Sequence, residues 1–132
     1  MGGVEVKIAA IGDNVIDRYL NKGVMYPGGN AVNVAAHASM LGAQAAYIGE
    51  IGNDLGGRII TDALSSLNVD LSQSCMPEKA TTKTCDVNVY NGERVEVGYD
   101  TGACWAHKTH INDSDVKFLQ GFDAVFTSVN AK

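Results

Sequence analysis

The sequence predicts an α/β fold: a parallel sheet flanked by helices, with a small antiparallel β insertion. Three observations predict it. From Val4 to Leu67 the chain reads strand, helix, strand, helix, the alternation that builds parallel sheets. The segments 4–11 and 124–129 are mostly apolar, the first rich in β-branched residues, as buried parallel strands are. Asn91-Gly92 lies between two alternating runs, 82–90 and 93–99, the strongest short signal for an antiparallel hairpin.

Composition narrows the class further. The 132 residues suffice for one domain and not two. At 45% hydrophobic and 19% charged the chain is too apolar to be disordered. Net charge is −5 and the ten Lys and Arg residues form no run. Nucleic acid and anionic membrane are therefore disfavoured as partners. The start lacks a basic stretch followed by a long apolar one, and no apolar run approaches the roughly 18 residues of a membrane span. Cys75, Cys85 and Cys104 form no C-x-x-C pair, so reduced thiols in a cytoplasmic protein are expected, without zinc.

The elements follow in order. Residues 4–11 form a strand ended by Gly12-Asp13-Asn14. Residues 18–26 make two short strands around Asn21-Lys22-Gly23. Residues 30–41 form a helix with Asn30 as N-cap and Gly42 as stop. Its small residues, Ala31, Ala35, Ala36 and Ala38, let it lie close to a sheet. A buried strand at 44–51 leads to a helix at 55–67, capped by Asn53-Asp54, with Leu55, Ile59, Ile60, Ala63, Leu64 and Leu67 on one apolar face. After the hairpin come a short helix at 113–120 and a buried strand at 124–129 with no helix behind it to cover it. An exposed apolar face is expected there.

Two clusters carry candidate chemistry. Gly12-Asp13-Asn14-Val15-Ile16-Asp17 follows the carboxyl end of the first strand, where open α/β sheets bind ligands. Its carboxylates and amides suit sugar hydroxyls; taken alone, a plain turn is the stronger reading. Pro27-Gly28-Gly29-Asn30-Ala31-Val32-Asn33 opens a helix. Glycines there admit a ligand close to the backbone, and the helix N-terminus favours an oxygen-rich or anionic one. Asn30, Asn33 and His37 make one polar stripe. Asn30 serves as cap or ligand group. A buried, unbonded Asn33 amide is costly, which favours a ligand role for it. His37 reads as structural.

Other motifs carry less. Gly52-Asn53-Asp54-Leu55-Gly56-Gly57 is neither a dinucleotide fingerprint nor a P-loop, and reads as a turn and helix cap. That removes a nucleotide-binding oxidoreductase from consideration. There is no G-x-S-x-G and no H-E-x-x-H. His107 and His110 lack companion metal ligands.

Gly28-Gly29-Asn30-Ala31-Val32-Asn33-Val34-Ala35, then Gly42, then Gly52, satisfies the long gapped first signature of the ribokinase-like (PfkB) carbohydrate kinases. The chain resembles the N-terminal half of that family over nearly its whole length. The resemblance implies a ribokinase-like parallel sheet with a small β lid, whose segments fall at about 18–26 and 82–102. It also implies an ATP-dependent kinase that moves the γ-phosphate to a sugar hydroxyl, with Mg2+ neutralising phosphate charge. Asp17 matches the aspartate that holds sugar hydroxyls. Gly28, Gly29 and Asn33 match positions lining the sugar site, and Asn30 a polar position beside it. Asp13 and Asn14 fit the same site. Tyr99 in the lid is a cover residue or a framework aromatic. Family lids of this kind often pair between subunits, which implies a homodimer. The segments Gly-Asp-Asn-Val-Ile-Asp-Arg-Tyr and Tyr-Pro-Gly-Gly-Asn resemble the fructoselysine 6-kinase branch, implying a ketose or fructosamine phosphorylated on its 6-hydroxyl.

One departure is large. The family's second signature, a D-T-x-G-A-G-D stretch, does not occur; Thr101-Gly102-Ala103-Cys104 lacks its second Gly and its Asp. By resemblance, that stretch supplies the catalytic base and the anion hole, beside the ATP site. The chain is therefore expected to hold sugar contacts, with no catalytic residue, nucleotide site or metal site of its own. The alternative is a non-catalytic sugar-binding or regulatory module of the same fold.

Overall fold

The computed structural model describes residues 4–102 and 110–128. Its elements are β1 (Lys7–Ile11), β2 (Val15–Tyr19), β3 (Val24–Gly28), α1 (Asn30–Met40), β4 (Gln44–Ile48), α2 (Leu55–Ser66), β5 (Thr84–Tyr90), β6 (Glu93–Asp100), α3 (Asp113–Leu119) and β7 (Ala124–Thr127). The α/β alternation places β1 at the centre of a parallel sheet, between β4 and β7. Ala9 and Ala10 of β1 and Ala46 and Tyr47 of β4 are fully buried.

The small residues on α1 do what small residues permit. Ala31, Ala35 and Ala38 are buried in one core with Ala10, Tyr47, Ile60 and Leu64, so α1 lies close over β1 and β4. α1 begins one residue earlier than the sequence suggests. Gly29 is its N-cap, at φ +103°, and Asn30 is its first helical residue. No side chain caps it, because its N-cap is a glycine. At its other end Gly42 takes φ +96°, the left-handed turn that stops a helix.

α2 is capped as expected: the Asp54 carboxylate accepts the Gly57 amide at 2.9 Å. Its buried face is Gly57, Ile60 and Leu64; Leu55, expected on that face, is exposed. Asn112 and Asp115 form a capping box at the start of α3. The strand read as buried, β7, has all four residues exposed, which is the uncovered apolar face also expected there. The described residues leave its faces largely open, with Val125 and Phe126 toward solvent.

The second sheet runs β3-β2-β5-β6. β2–β3 and β5–β6 are antiparallel hairpins, the latter turning at Asn91 (φ +50°) and Gly92 (φ +82°). The hairpins join through a parallel β2–β5 pairing, so the sheet is mixed where the sequence suggested antiparallel strands only. Asn21, in the first hairpin's turn, donates to the Val89 carbonyl at 2.8 Å and accepts the Val89 amide at 3.1 Å. That clasp holds one hairpin to the other.

Candidate functional site

The carboxyl end of β1, the start of β2 and the start of α1 meet at one edge of the parallel sheet. The meeting depends on Gly29. A Cβ there would lie 2.7 Å from the Asp13 carbonyl oxygen and 2.9 Å from Asn14 Cα. A side chain would push the two turns apart, and φ +103° disfavours one in any case. The Gly29 carbonyl then accepts the Asn33 amide at 2.9 Å, closing the first turn of α1. With no side-chain cap, the first-turn amides of α1 remain suited to a ligand's oxygen atoms.

Asp17 projects from β2 beside this turn. A Cβ on Gly28 would lie 3.0 Å from Asp17 Oδ2, so that position keeps room beside the carboxylate. Asp17 Oδ1 accepts from Arg94 Nη2 at 3.3 Å. Gly28, Gly29 and Asp17, all expected in the site, are thus brought together. Asp13 joins them at the rim: Ser128 Oγ, just past β7, donates to its carboxylate at 2.8 Å.

Asn14 lies deeper. It is 6% exposed and its Nδ2 donates to the Tyr47 hydroxyl at 2.9 Å and the Glu50 carbonyl at 2.7 Å. The Tyr47 hydroxyl in turn donates to the Gly12 carbonyl at 2.8 Å. Asn14 therefore sits under this edge as framework, with its Oδ1 buried and without a hydrogen-bond partner. Tyr47, fully buried, was not legible as a support residue. Its one local signal is Gly49, where a Cβ would fall 2.1 Å from the tyrosine hydroxyl.

Asn30, Asn33 and His37 are exposed along α1. This corrects the premise of a buried Asn33: its amide meets solvent, so it can meet a ligand but incurs no burial cost without one. Tyr99 is also exposed. Strand register aligns Tyr26, Asp17, Cys85 and Tyr99 in one row across the four strands. Neighbours in such a row share a face, so Tyr99 stands on the side of the lid that carries Asp17. Lys83 Nζ lies 4.9 Å from the centre of its ring.

The same face carries a polar cluster that sequence reasoning missed. Arg94 reaches over β5 to Asp17 and also donates to Glu96 at 3.0 Å. The Glu96 hydrogen bond is the largest cause holding the guanidinium above its ordinary pKa; partial burial opposes it, while Tyr19 and Asp17 add to it. Burial pushes the Cys85 thiol up, Glu96 adds to this, and Arg94 opposes it.

The 52–57 segment is structural, as its sequence suggested. Asp54 accepts from the Thr82 amide at 2.8 Å and the Thr82 hydroxyl at 2.5 Å, fastening α2 to the strand entering the lid. Cys75 and Cys85 are free thiols; Cys104 and His107 lie outside the described residues. Among the described residues, no helix is long and apolar enough to cross a membrane. Nor do the described residues bring three or more His, Cys, Asp or Glu side chains together to hold a metal ion.

A parallel sheet with a mixed sheet beside it and a glycine turn at its carboxyl edge is the arrangement of an α/β ligand-binding fold. The chain belongs to the pfkB family of carbohydrate kinases, which it matches over residues 5–129. It is 34% identical over 131 residues to the fructosamine kinase FrlD of Bacillus subtilis (strain 168), covering 96% of this chain and 45% of that one. It is 30% identical over 122 residues to the fructoselysine 6-kinase of Escherichia coli (strain K12), covering 92% and 46%. The chain thus spans about half the length of the curated relatives it matches. The ribokinase-like fold is confirmed by the structure of Arabidopsis thaliana ribokinase complexed with ribose and ATP. That match has a TM-score of 0.80 at 20% identity, covering 94% of this chain and 45% of that one.

Proposed function

We propose that this chain is the sugar-side, N-terminal part of one ribokinase-like domain in an ATP-dependent kinase. Its substrate is a ketose or fructosamine, phosphorylated on the 6-hydroxyl. The observation that carries the proposal is the Asp17 carboxylate beside the side-chain-free backbone of Gly28 and Gly29. An ionised carboxylate accepts hydrogen bonds from hydroxyls, and two glycines let a sugar ring lie against the main chain. Asp17 holds hydroxyls on one side of the sugar. Asn30 and Asn33, with the first-turn amides of α1, bond oxygens on another, and Asp13 lines the rim. Asn14 supports this floor from beneath. Tyr99, on the Asp17 side of the lid, covers the sugar and excludes water. The names of the two curated relatives support the fructosamine class.

ATP is the phosphoryl donor in this reading, with Mg2+ neutralising its charge. The base, the phosphate-binding amides and the metal ligands lie in the remainder of the domain. Phosphoryl transfer rests mostly on positioning and charge stabilisation, and this part supplies the positioning of the acceptor. The exposed outer strand β6 supports pairing of two lids in a homodimer. A cytoplasmic location completes the reading.

The test begins with the gene read past the Lys132 codon and the complete product expressed. ATP-dependent phosphorylation of fructose or a fructosyl-amine is expected. Asp17→Ala should lower kcat/KM for the sugar about 100-fold, the loss of hydrogen bonds to a charged acceptor. Sugar binding without phosphoryl transfer from ATP would leave the binding-module alternative standing. Neither binding nor transfer would overturn both.

A further inference from the structure

We infer that Arg94, on the far strand of the lid hairpin, is a positioning residue for the candidate sugar carboxylate, Asp17. The inference rests on the sugar-kinase reading and deepens it. Asp17 is on β2 and Arg94 on β6, with β5 between them. The guanidinium passes over Cys85, which is paired with Asp17 in the sheet register, and its Nη2 lies 3.8 Å from Cys85 Sγ. It ends 3.3 Å from Asp17 Oδ1.

The two oxygens of Asp17 thereby acquire different surroundings. Oδ1 accepts from Arg94. Oδ2 points to Gly28, where a Cβ would come within 3.0 Å, and no hydrogen bond to it occurs among the described residues. A carboxylate has about four acceptor positions. Arg94 takes one on the lid side, and the remaining oxygen faces the glycine turn. A carboxylate fixed in this way needs no rotation to meet a sugar hydroxyl, so less ordering accompanies binding.

Glu96 fixes Arg94 in turn. It accepts from Nη1 at 3.0 Å while Nη2 serves Asp17, so the planar fork is held from both arms. Asp17, Arg94 and Glu96 form one chain of charged hydrogen bonds from β2 to β6. Placement of the hairpin and orientation of Asp17 are thus a single geometric fact: movement of β6 away from β2 releases the carboxylate.

A merely structural role predicts something different. Arg94 is 41% exposed and Glu96 64%, and exposed ion pairs contribute little to stability. Removing Arg94 should then disturb sugar binding and leave melting almost unchanged. The experiment compares wild type, Arg94→Met and Arg94→Lys in the complete protein, measuring kcat, KM for the sugar, KM for ATP and Tm. Arg94→Met keeps the aliphatic stem and removes the fork. It should raise KM for the sugar about tenfold, with kcat within about twofold. KM for ATP and Tm should stay near wild type. Arg94→Lys keeps a single charged donor and should recover part of the loss. Unchanged sugar KM in an active Arg94→Met enzyme overturns the inference alone. So does a KM rise that follows a fall in Tm. A wild-type protein that phosphorylates no sugar overturns the kinase reading and the inference with it.

Discussion

β4, in the parallel sheet, buries Ala45, Ala46, Tyr47 and Ile48, whereas β6, at the edge of the mixed sheet, leaves every residue but Gly98 exposed. The first sheet is sandwiched into an apolar core with α1. The second reaches that core through Ile16 of β2 and adds a small apolar cluster of its own, Val15, Cys85 and Val87, with Tyr19 packed against it. Besides these and its strand ladders, polar side-chain contacts hold it: the Asn21 clasp, Arg18 on Asp86 at 2.5 and 2.8 Å, and Arg94 on Asp17. Apolar burial is worth several kcal/mol per large side chain, and exposed polar contacts far less. The mixed sheet is therefore expected to be held less firmly than β1, β4 and α1.

Three measurements sharpen this contrast. The largest effect is expected in the core. Ile60→Ala, at a fully buried site, should cost about 2–5 kcal/mol in urea unfolding. A loss as small as that of a surface substitution would erase the distinction between the two sheets.

The junction between them should respond at an intermediate level. Burial by itself would raise the pKa of Asp54. The Thr82 hydroxyl and amide and the Gly57 amide outweigh it, so the net effect holds the carboxyl below its usual range. The folded state thus favours the ionised form. Its contribution is complete above the unfolded value of about 4 and is lost as pH falls through the lower folded value. Asp54→Ala should cost about 1–2 kcal/mol at pH 7, as loss of a helix cap does. Unfolding between pH 5 and 2 should then vary less with pH than in wild type. An unchanged pH dependence would remove Asp54 as a link between α2 and the lid.

The smallest effect is expected within the lid. Arg18→Met removes a paired guanidinium whose side chain is 43% exposed, and should cost under about 1 kcal/mol in the same unfolding measurement. A larger loss would show that the lid is as firmly held as the core.

What the sequence disclosed follows the same division. The helices, β1, β4 and the Asn91-Gly92 turn were legible because each is written in a local pattern: apolar periodicity, caps, glycine stops. The glycine pair and Asp17 were legible through family resemblance, and the structure brings them together. Long-range pairing was not. The parallel β2–β5 junction joins residues such as Ile16 and Thr84, with no local mark of either partner. The same holds for Tyr47 beneath Asn14 and for Arg94 over Asp17, since a tyrosine in a strand and an arginine in a hairpin fit many surroundings. The cap of α1 was misplaced by one residue because asparagine is a good cap by propensity, while the close approach of Gly29 to the β1 loop decides where the chain turns. The exposure of Asn33 and of β7 likewise depends on what packs nearby.

The position of β1 between β4 and β7 also has a consequence in time. Its partners arrive far apart: Ile11 pairs with Ile48 on one side and Thr127 on the other. At about 5–20 residues per second of synthesis, the wait between those two strands is on the order of 4–15 s. Throughout it the central strand has one bare edge, able to pair with whatever strand comes first. A newborn chain is therefore most exposed to mispairing at its centre, in the part of the sheet that is afterwards the best protected.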